Sequence, residues 1–264
     1  MEPREKILYY ALKYRGDWDK IYADLSSGID PDEKEALELN KTVASNYITI
    51  LDEIYPECLR RTPKAPFILF YHGDISLIEE SRQKIAVVGS RKYSTYGADM
   101  TKKLVGEICK DFIIVSGMAL GIDSIAHRTA IDNGGRTIAV LGCGINVCYL
   151  KSSLDIYENC KEKNLVISEY PNDVPPCPMY FPIRNRIIAG LTDNLLVTEG
   201  KVNSGTQITA MLVSEKAGNV CCVPTRAGED SVCNYMIAHG AYLVETADDI
   251  YAATGRIYRK PIFE

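Results

Sequence analysis

One segment in the second half of the chain concentrates side chains suited to holding an anion. It covers residues 179–210 and reads MYFPIRNRIIAGLTDNLLVTEGKVNSGTQITA. An aromatic residue and two arginines flanking an amide open one predicted helix, and a Ser-Gly-Thr triplet opens the next. Helix starts favour negative charge, because their backbone N–H groups are unpaired and the helix dipole is positive there. The candidate residues are Phe181, Arg184, Asn185, Arg186, Ser204 and Thr206.

The apolar residues of the first helix indicate how its arginines are oriented. Ile187, Ile188 and Leu191 recur at helical spacing and predict a buried face. This pattern places the arginines at the helix start. The alternative is that they belong to a solvated face, or that Arg186 forms an internal ion pair with Glu169 or Glu199.

A regular alternation of strands and helices surrounds this segment from Lys84 onward. The predicted strands lack polar alternation, which is typical of parallel strands buried on both faces. They cover residues 85–89, 112–117, 137–142, 165–169, 194–200 and 219–224. The pattern predicts an α/β protein with a doubly wound, mostly parallel sheet.

Small residues end four of these strands. They are Gly89-Ser90-Arg91, Ser116-Gly117, Gly142-Cys143-Gly144 and, after a short loop, Ser204-Gly205-Thr206. The carboxyl ends of parallel strands line the ligand crevice of an open sheet, and glycine lets a backbone N–H approach a phosphate. Each turn alone is also explained by steric need, but together they predict a binding crevice.

The first part of the chain has a different character. Residues 4–25 and 31–45 predict two short amphipathic helices, and a proline-rich stretch follows. The domain boundary is expected between Arg60 and Lys84. We therefore predict a small helical N-terminal domain with its linker at residues 1–65 and the α/β domain at residues 66–264.

Charge and cysteine usage restrict the class of protein. The net charge of −5 belongs to residues 1–83, which hold 11 basic and 16 acidic residues, whereas residues 84–264 hold 19 of each. A basic pocket in the larger part is therefore permitted. Nine cysteines without a metal-ligand or CxxC spacing, and the absence of a secretory or membrane-spanning pattern, predict a reducing cytoplasm and no membrane partner.

Catalytic and cofactor motifs are missing from the sequence. It has no complete G-x-G-x-x-G dinucleotide motif and no P-loop lysine, and none of its three histidines stands at nucleophile or metal-ligand spacing. His127 is interpreted as a packed or capping residue. We expect no catalytic residue, no cofactor and no metal.

Several motifs in order resemble the DNA-processing protein A family (DprA/Smf). They are VVGSRKYSTYG, IVSGMALGIDSIAH, IAVLGCGINVCY, ISEYP, YFPIRNRIIAGL, VTEG followed by SGTQITA, and GAYLV. The resemblance covers about residues 47–245. It implies an extended Rossmann-like domain that binds single-stranded DNA, acts as a homodimer and helps to load the RecA recombinase during natural transformation.

The resemblance also implies a set of DNA-binding residues. Phe181 would stack on an unpaired base, and Arg91, Arg184 and Arg186 would line a basic pocket. Short polar contacts to the DNA backbone would come from Ser90, Ser116, Gly117, Asn185, Ser204 and Thr206. Asp123 is expected to order its own turn.

The chain departs from the family pattern at several positions, including the segment 230–237, which lacks the glycine of a G-x-N-x-L-I motif. Asn146 and Leu150 stand where many members have an aspartate and a proline, and Pro178 stands where some have a basic residue. A winged-helix-like C-terminal domain, found in many members, is not expected here. The dimer interface is expected around residues 205–245, where Met211, Leu212, Val232, Tyr235, Met236 and Ile237 are apolar.

Two alternatives remain open at this stage. One is an enzyme similar to the phosphoribohydrolases that cleave nucleoside monophosphates, although the PGGxGTxxE signature of that class is absent. The other is an interaction module with a vestigial crevice and an acidic N-terminal part that recruits partners.

Overall fold

The computed structural model describes residues 1–255, which contain eleven α-helices and nine β-strands. The helices are α1 (Pro3–Lys13), α2 (Trp18–Ser27), α3 (Glu33–Asn40), α4 (Glu57–Arg60), α5 (Thr95–Ile108), α6 (Ile122–Asp132), α7 (Leu154–Lys163), α8 (Tyr180–Gly190), α9 (Gly205–Glu215), α10 (Val232–Ala238) and α11 (Ala247–Ala253). The strands are β1 (Asn46–Thr49), β2 (Ile68–Gly73), β3 (Lys84–Gly89), β4 (Ile113–Ser116), β5 (Arg136–Gly144), β6 (Leu165–Tyr170), β7 (Asn194–Glu199), β8 (Asn219–Cys222) and β9 (Tyr242–Leu243).

The chain divides into two compact units. Unit 1 consists of residues 1–81 and 138–191, and unit 2 consists of residues 82–137 and 192 onward. The N-terminal helices therefore share a unit with later strands of the α/β part. A separate domain at residues 1–65 stays a prediction.

The N-terminal helices differ from the expected pair. The prediction of one helix over residues 4–25 is wrong. Two helices, α1 and α2, are separated there by a turn at Arg15 and Gly16, whose φ angles are 51° and 81°. A Cβ on Gly16 would lie 2.9 Å from the carbonyl oxygen of Glu169, so this position requires glycine. The Asp17 carboxylate then caps α2 by accepting the Lys20 N–H at 3.2 Å.

The strands of unit 1 are hydrogen-bonded in the order β1-β2-β6-β5. β1 pairs antiparallel with β2 and β2 pairs antiparallel with β6, whereas β5 and β6 are parallel. The apolar run that follows the proline-rich stretch forms β2. It forms the antiparallel side of a mixed sheet.

The strands of unit 2 are parallel throughout, in the order β4-β3-β7-β8-β9. A fully buried cluster fills the unit, and it includes Ile85, Val87, Ile114, Leu196 and Cys221 from the strands and Leu104, Val105, Ile122, Ala126 and Ile250 from the helices. Burial on both faces explains why these strands have no polar alternation. The predicted α/β class with an extended Rossmann-like, mostly parallel sheet is confirmed.

Candidate nucleic-acid interface

The aromatic candidate Phe181 lies in the first turn of α8, in unit 1. Its ring is half-buried and packs at a tilt against Tyr149, with the two centroids 5.6 Å apart. A Cβ added to Gly142, near the end of β5, would lie 2.8 Å from Phe181 Cδ1. The glycine therefore allows the ring to lie against the strand backbone. The sequence pattern explains the glycine turns by phosphate approach or by the steric need of the turn, and it does not indicate Tyr149 as the neighbour of Phe181.

Arg184 is buried in the second turn of α8, with 3% of its surface exposed. One of its guanidinium N–H groups donates to the carbonyl oxygen of Val140 in β5. The predicted position at the helix start is wrong, because α8 begins at Tyr180. The observed contact ties α8 to β5.

Arg186 makes the internal ion pair that the sequence had left as an alternative. Its Nη2 lies 2.6 Å from Oε1 of Glu169, and its Nε donates to the carbonyl oxygen of Lys64 at 3.0 Å. Burial raises the pKa of the Glu169 carboxyl, and the adjacent Arg186 guanidinium opposes that rise. Asn185, between the two arginines, is half-buried.

The turn after β3 presents the remaining arginine in unit 2. Arg91 is exposed, and the residue before it is held on both sides: the Ser90 N–H donates to the Glu199 carbonyl at 2.8 Å, and the Ile122 N–H donates to the Ser90 carbonyl at 3.2 Å. The Ser90 hydroxyl donates within the turn to the Lys92 carbonyl at 2.6 Å. The turn therefore fixes the backbone from which Arg91 extends.

Ser116 and Gly117 are buried where β4 ends. The Ser116 hydroxyl donates to the Val87 carbonyl at 2.6 Å. The Gly117 N–H donates to the Asp123 carboxylate at 3.1 Å, as does the Ala119 N–H at 3.4 Å. Asp123 orders its own turn, as predicted, and Ser116 links two neighbouring strands.

The Ser-Gly-Thr triplet opens α9, as predicted. The Ser204 hydroxyl donates to the Lys201 carbonyl at 2.6 Å and does not cap the helix, while Thr206 is buried. The structure thus places these residues in unit 2 with Ser90, Arg91, Ser116 and Gly117. Ser116 ends β4, and the other five residues follow the carboxyl ends of the adjacent parallel strands β4, β3 and β7.

The structure also gives hydrogen-bonding partners for two other residues that the sequence analysis considered, His127 and Asn146. His127 is fully buried and its Nδ1 lies 2.6 Å from the Thr137 hydroxyl, as expected of a packed residue. Asn146, which stands where many members have an aspartate, has its side-chain oxygen 2.8 Å from Nε2 of His72. An amide in this position thus fixes the loop after β5.

Residues 1–255 offer neither a metal-binding cluster nor a membrane-spanning helix. No group of three or more histidine, cysteine, aspartate or glutamate side chains there could hold a metal ion. No helix in that range is long and apolar enough to cross a membrane.

The parallel sheet, with loops of small residues after its strands, defines a Rossmann-like α/β protein. Residues 46–255 match the family model described as DNA recombination-mediator protein A, and the chain belongs to that family. It is 40% identical over 206 residues to DNA processing protein DprA of Streptococcus pneumoniae, covering 77% of this chain and 72% of the relative. It is 35% identical over 209 residues to the Bacillus subtilis DprA, covering 78% and 70%.

Solved structures of two family members are similar to this chain. The X-ray structure of DprA from Streptococcus pneumoniae gives a TM-score of 0.79 at 34% identity, covering 94% of this chain and 92% of the other. A Helicobacter pylori DprA structure, described for its single-stranded DNA binding mode, gives a TM-score of 0.70 at 26% identity, covering 78% and 94%.

Proposed function

We propose that this chain binds single-stranded DNA and acts as a recombination mediator. Membership of the recombination-mediator family supports the proposal, as does its similarity to the Helicobacter pylori protein described for single-stranded DNA binding. The observation that carries it is Phe181, a partly exposed ring fixed against β5. Single strands are held by phosphate contacts and by bases stacked on aromatic rings.

The arginines divide between two roles in this proposal. Arg91 is exposed and contacts phosphate, whereas Arg184 and Arg186 are committed to internal partners. The latter two position α8 and thereby Phe181. This assignment replaces a pocket lined by all three arginines.

The polar candidates divide in the same way. Contacts to a DNA strand come from the side-chain amide of Asn185 and from the backbone at the start of α9, where Ser204 and Thr206 lie. Gly205, between these two residues, is exposed. The hydroxyls of Ser90 and Ser116 already donate to carbonyl groups and shape the turns. We therefore assign Ser90, Ser116 and Gly117 to the support of the interface.

Fluorescence anisotropy with labelled oligo-dT and a duplex of equal length tests the proposal. Wild-type protein should bind the single strand more tightly, because Phe181 stacks only on an unpaired base. Phe181→Ala should lose about 1–3 kcal/mol of binding free energy, and Phe181→Tyr should restore most of it. Equal affinity for single strand and duplex would contradict the proposal.

We further propose a non-enzymatic role in loading a RecA-type recombinase, within the cytoplasm. The nine free cysteines of the chain fit a reducing compartment. Incubation of pure protein with nucleoside monophosphates separates this role from the phosphoribohydrolase alternative, since release of free base would favour the enzyme. Binding of neither DNA nor nucleotide would favour the interaction module.

The proposed homodimer uses an apolar surface of unit 2. Val232 and Met236, expected in the interface, are buried within the unit, so they do not offer that surface. The apolar residues exposed nearby are Ile208, Met211, Tyr235, Tyr242 and Leu243. Exposed apolar patches are common protein-interaction surfaces, and we propose that these residues form one.

A further inference from the structure

The turn between β3 and α5 presents the exposed side chains of Arg91, Lys92 and Tyr93. Tyr93 leaves 49% of its surface exposed although it is a large aromatic residue. An isolated exposed tyrosine is ordinary on a protein surface. Tyr93 differs because it follows two cations directly.

Glu199 fixes both ends of this turn. Its carbonyl oxygen accepts the Ser90 N–H at 2.8 Å, on one side of the three residues. Its carboxylate accepts the Ser94 N–H and the Ser94 hydroxyl, both at 2.9 Å, on the other side. One residue at the end of β7 therefore anchors the backbone immediately before and immediately after the exposed segment.

Hydrogen bonds between residues of the turn also hold its backbone. The Ser90 hydroxyl donates to the Lys92 carbonyl and accepts the Lys92 N–H at 3.1 Å. The next tyrosine along the chain, Tyr96, is tied down by its hydroxyl, which donates to the Pro224 carbonyl at 3.0 Å. Within the described chain, no comparable hydrogen bond or ring contact holds Tyr93. Its ring is therefore available on a fixed backbone.

We propose that Tyr93 is a second base-stacking residue for single-stranded DNA, with Lys92 contacting the adjacent phosphate. An aromatic ring beside cations is the combination that holds a single strand without sequence preference. A fixed backbone reduces the conformational entropy that binding must overcome. The inference rests on the proposed DNA-binding function and adds a contact in unit 2 that is independent of Phe181 in unit 1.

Photo-crosslinking locates this contact directly. Oligo-dT carrying 5-iodouracil is irradiated with wild-type protein, and the crosslinked peptide is identified by mass spectrometry. A crosslink at Tyr93 supports the proposal. Crosslinks confined to Phe181, with none in residues 91–96, overturn it.

Affinity measurements on three variants complete the test. Tyr93→Ala should weaken oligo-dT binding about 5-fold or more, the usual effect of removing one stacked base. Tyr93→Phe, which keeps the ring, should restore most of that loss. Tyr22→Ala is the control, because Tyr22 is 53% exposed but lies on α2 in the acidic N-terminal part.

The outcomes separate this inference from the proposed function. If Phe181→Ala weakens binding and Tyr93→Ala does not, the inference about Tyr93 is wrong and DNA binding stands. If wild-type protein binds no single-stranded DNA, both are wrong. A Lys92→Ala variant should lower the slope of log affinity against log salt by about 0.7, the value for one phosphate contact on a single strand.

Discussion

Arg186 and Glu169 form an ion pair shielded from solvent in unit 1, with Nη2 and Oε1 2.6 Å apart. Only 11% of the arginine side chain and 4% of the glutamate side chain are exposed. A residue whose type and position suggested a phosphate contact thus has an internal carboxylate as its partner. Because α8 carries both Arg186 and Phe181, the pair also helps to position the aromatic ring.

Arg186→Ala should therefore affect stability, and Arg91→Ala should affect the salt dependence of binding. Removing one partner of a buried pair leaves an uncompensated charge and costs about 3–5 kcal/mol. Arg91→Ala should lower the slope of log affinity against log salt by about 0.7. Urea unfolding and oligo-dT titration at several salt concentrations measure the two effects. Lys41→Ala is the stability control, because its ion pair with Glu38 is exposed.

Gly142→Ala should weaken single-stranded DNA binding by displacing a ring. The new methyl group would lie 2.8 Å from Phe181 Cδ1, so the ring must move. Overpacking of this kind costs about 1–3 kcal/mol of stability. Gly106→Ala is the matched control, since its nearest neighbouring atom would be 3.7 Å away and alanine favours a helix. Unchanged oligo-dT affinity in Gly142→Ala would show that DNA binding does not depend on the position of the Phe181 ring.

Glu199 offers a way to separate geometry from charge at the turn after β3. Glu199→Ala removes the acceptor of the Ser94 N–H and hydroxyl, so the turn loosens and oligo-dT affinity should fall. Lost hydrogen bonds to a charged group cost about 1.5–3 kcal/mol of stability. Glu199→Gln keeps an acceptor oxygen and removes a negative charge, so it should bind DNA more tightly than Glu199→Ala. Equal affinity of the two variants would indicate that the carboxylate acts through its charge, because both substitutions remove that charge.

The Asp249 carboxylate makes a contribution to the free energy of unfolding that depends on pH. Partial burial would raise the pKa of its carboxyl, but hydrogen bonds from the Glu245 and Thr246 N–H groups and the Thr246 hydroxyl lower it overall. A folded-state pKa below the unfolded one stabilises the protein above the unfolded pKa, and that stability is lost as pH falls through the folded value.

Asp249→Asn keeps an acceptor oxygen and removes the charge, so it should cost about 1 kcal/mol at pH 7, the difference between hydrogen bonds to a charged and to a neutral acceptor, and less in acid. Urea unfolding at pH 7 and pH 3 measures both values. An equal loss at the two pH values would show that the contribution does not depend on the charge of Asp249.

Met211→Glu should dissociate the proposed dimer without unfolding the monomer. Met211 leaves 47% of its surface exposed on α9, so a charge there is tolerated by a monomer and not by an apolar interface. Sedimentation velocity measures the change in mass, and circular dichroism checks the fold. Met236→Glu is unsuitable as a test because Met236 is buried in its own unit. A dimer that persists in Met211→Glu would place the interface elsewhere.

The sequence by itself determined the alternation of strands and helices in the α/β part. Ile85, Ile114 and Leu196 lie in apolar runs because their strands are buried on both faces, and such runs are visible without the fold. The start of α9 at the Ser-Gly-Thr triplet was also predictable from local residue types. So was the self-contained turn at Asp123, whose partners lie 4 and 6 positions away.

The tertiary structure alone decided which partners the polar side chains have. Ser94 and Glu199 are 105 positions apart, and nothing in the pattern around either residue indicates the other. The same holds for Gly142, whose missing side chain makes room for Phe181, and for Gly16, where an apparently continuous helix breaks against β6. Periodicity reports which face of an element is buried, whereas a partner depends on which distant elements the sheet order brings into contact. For that reason the sequence identified Arg186 as important but left its partner open.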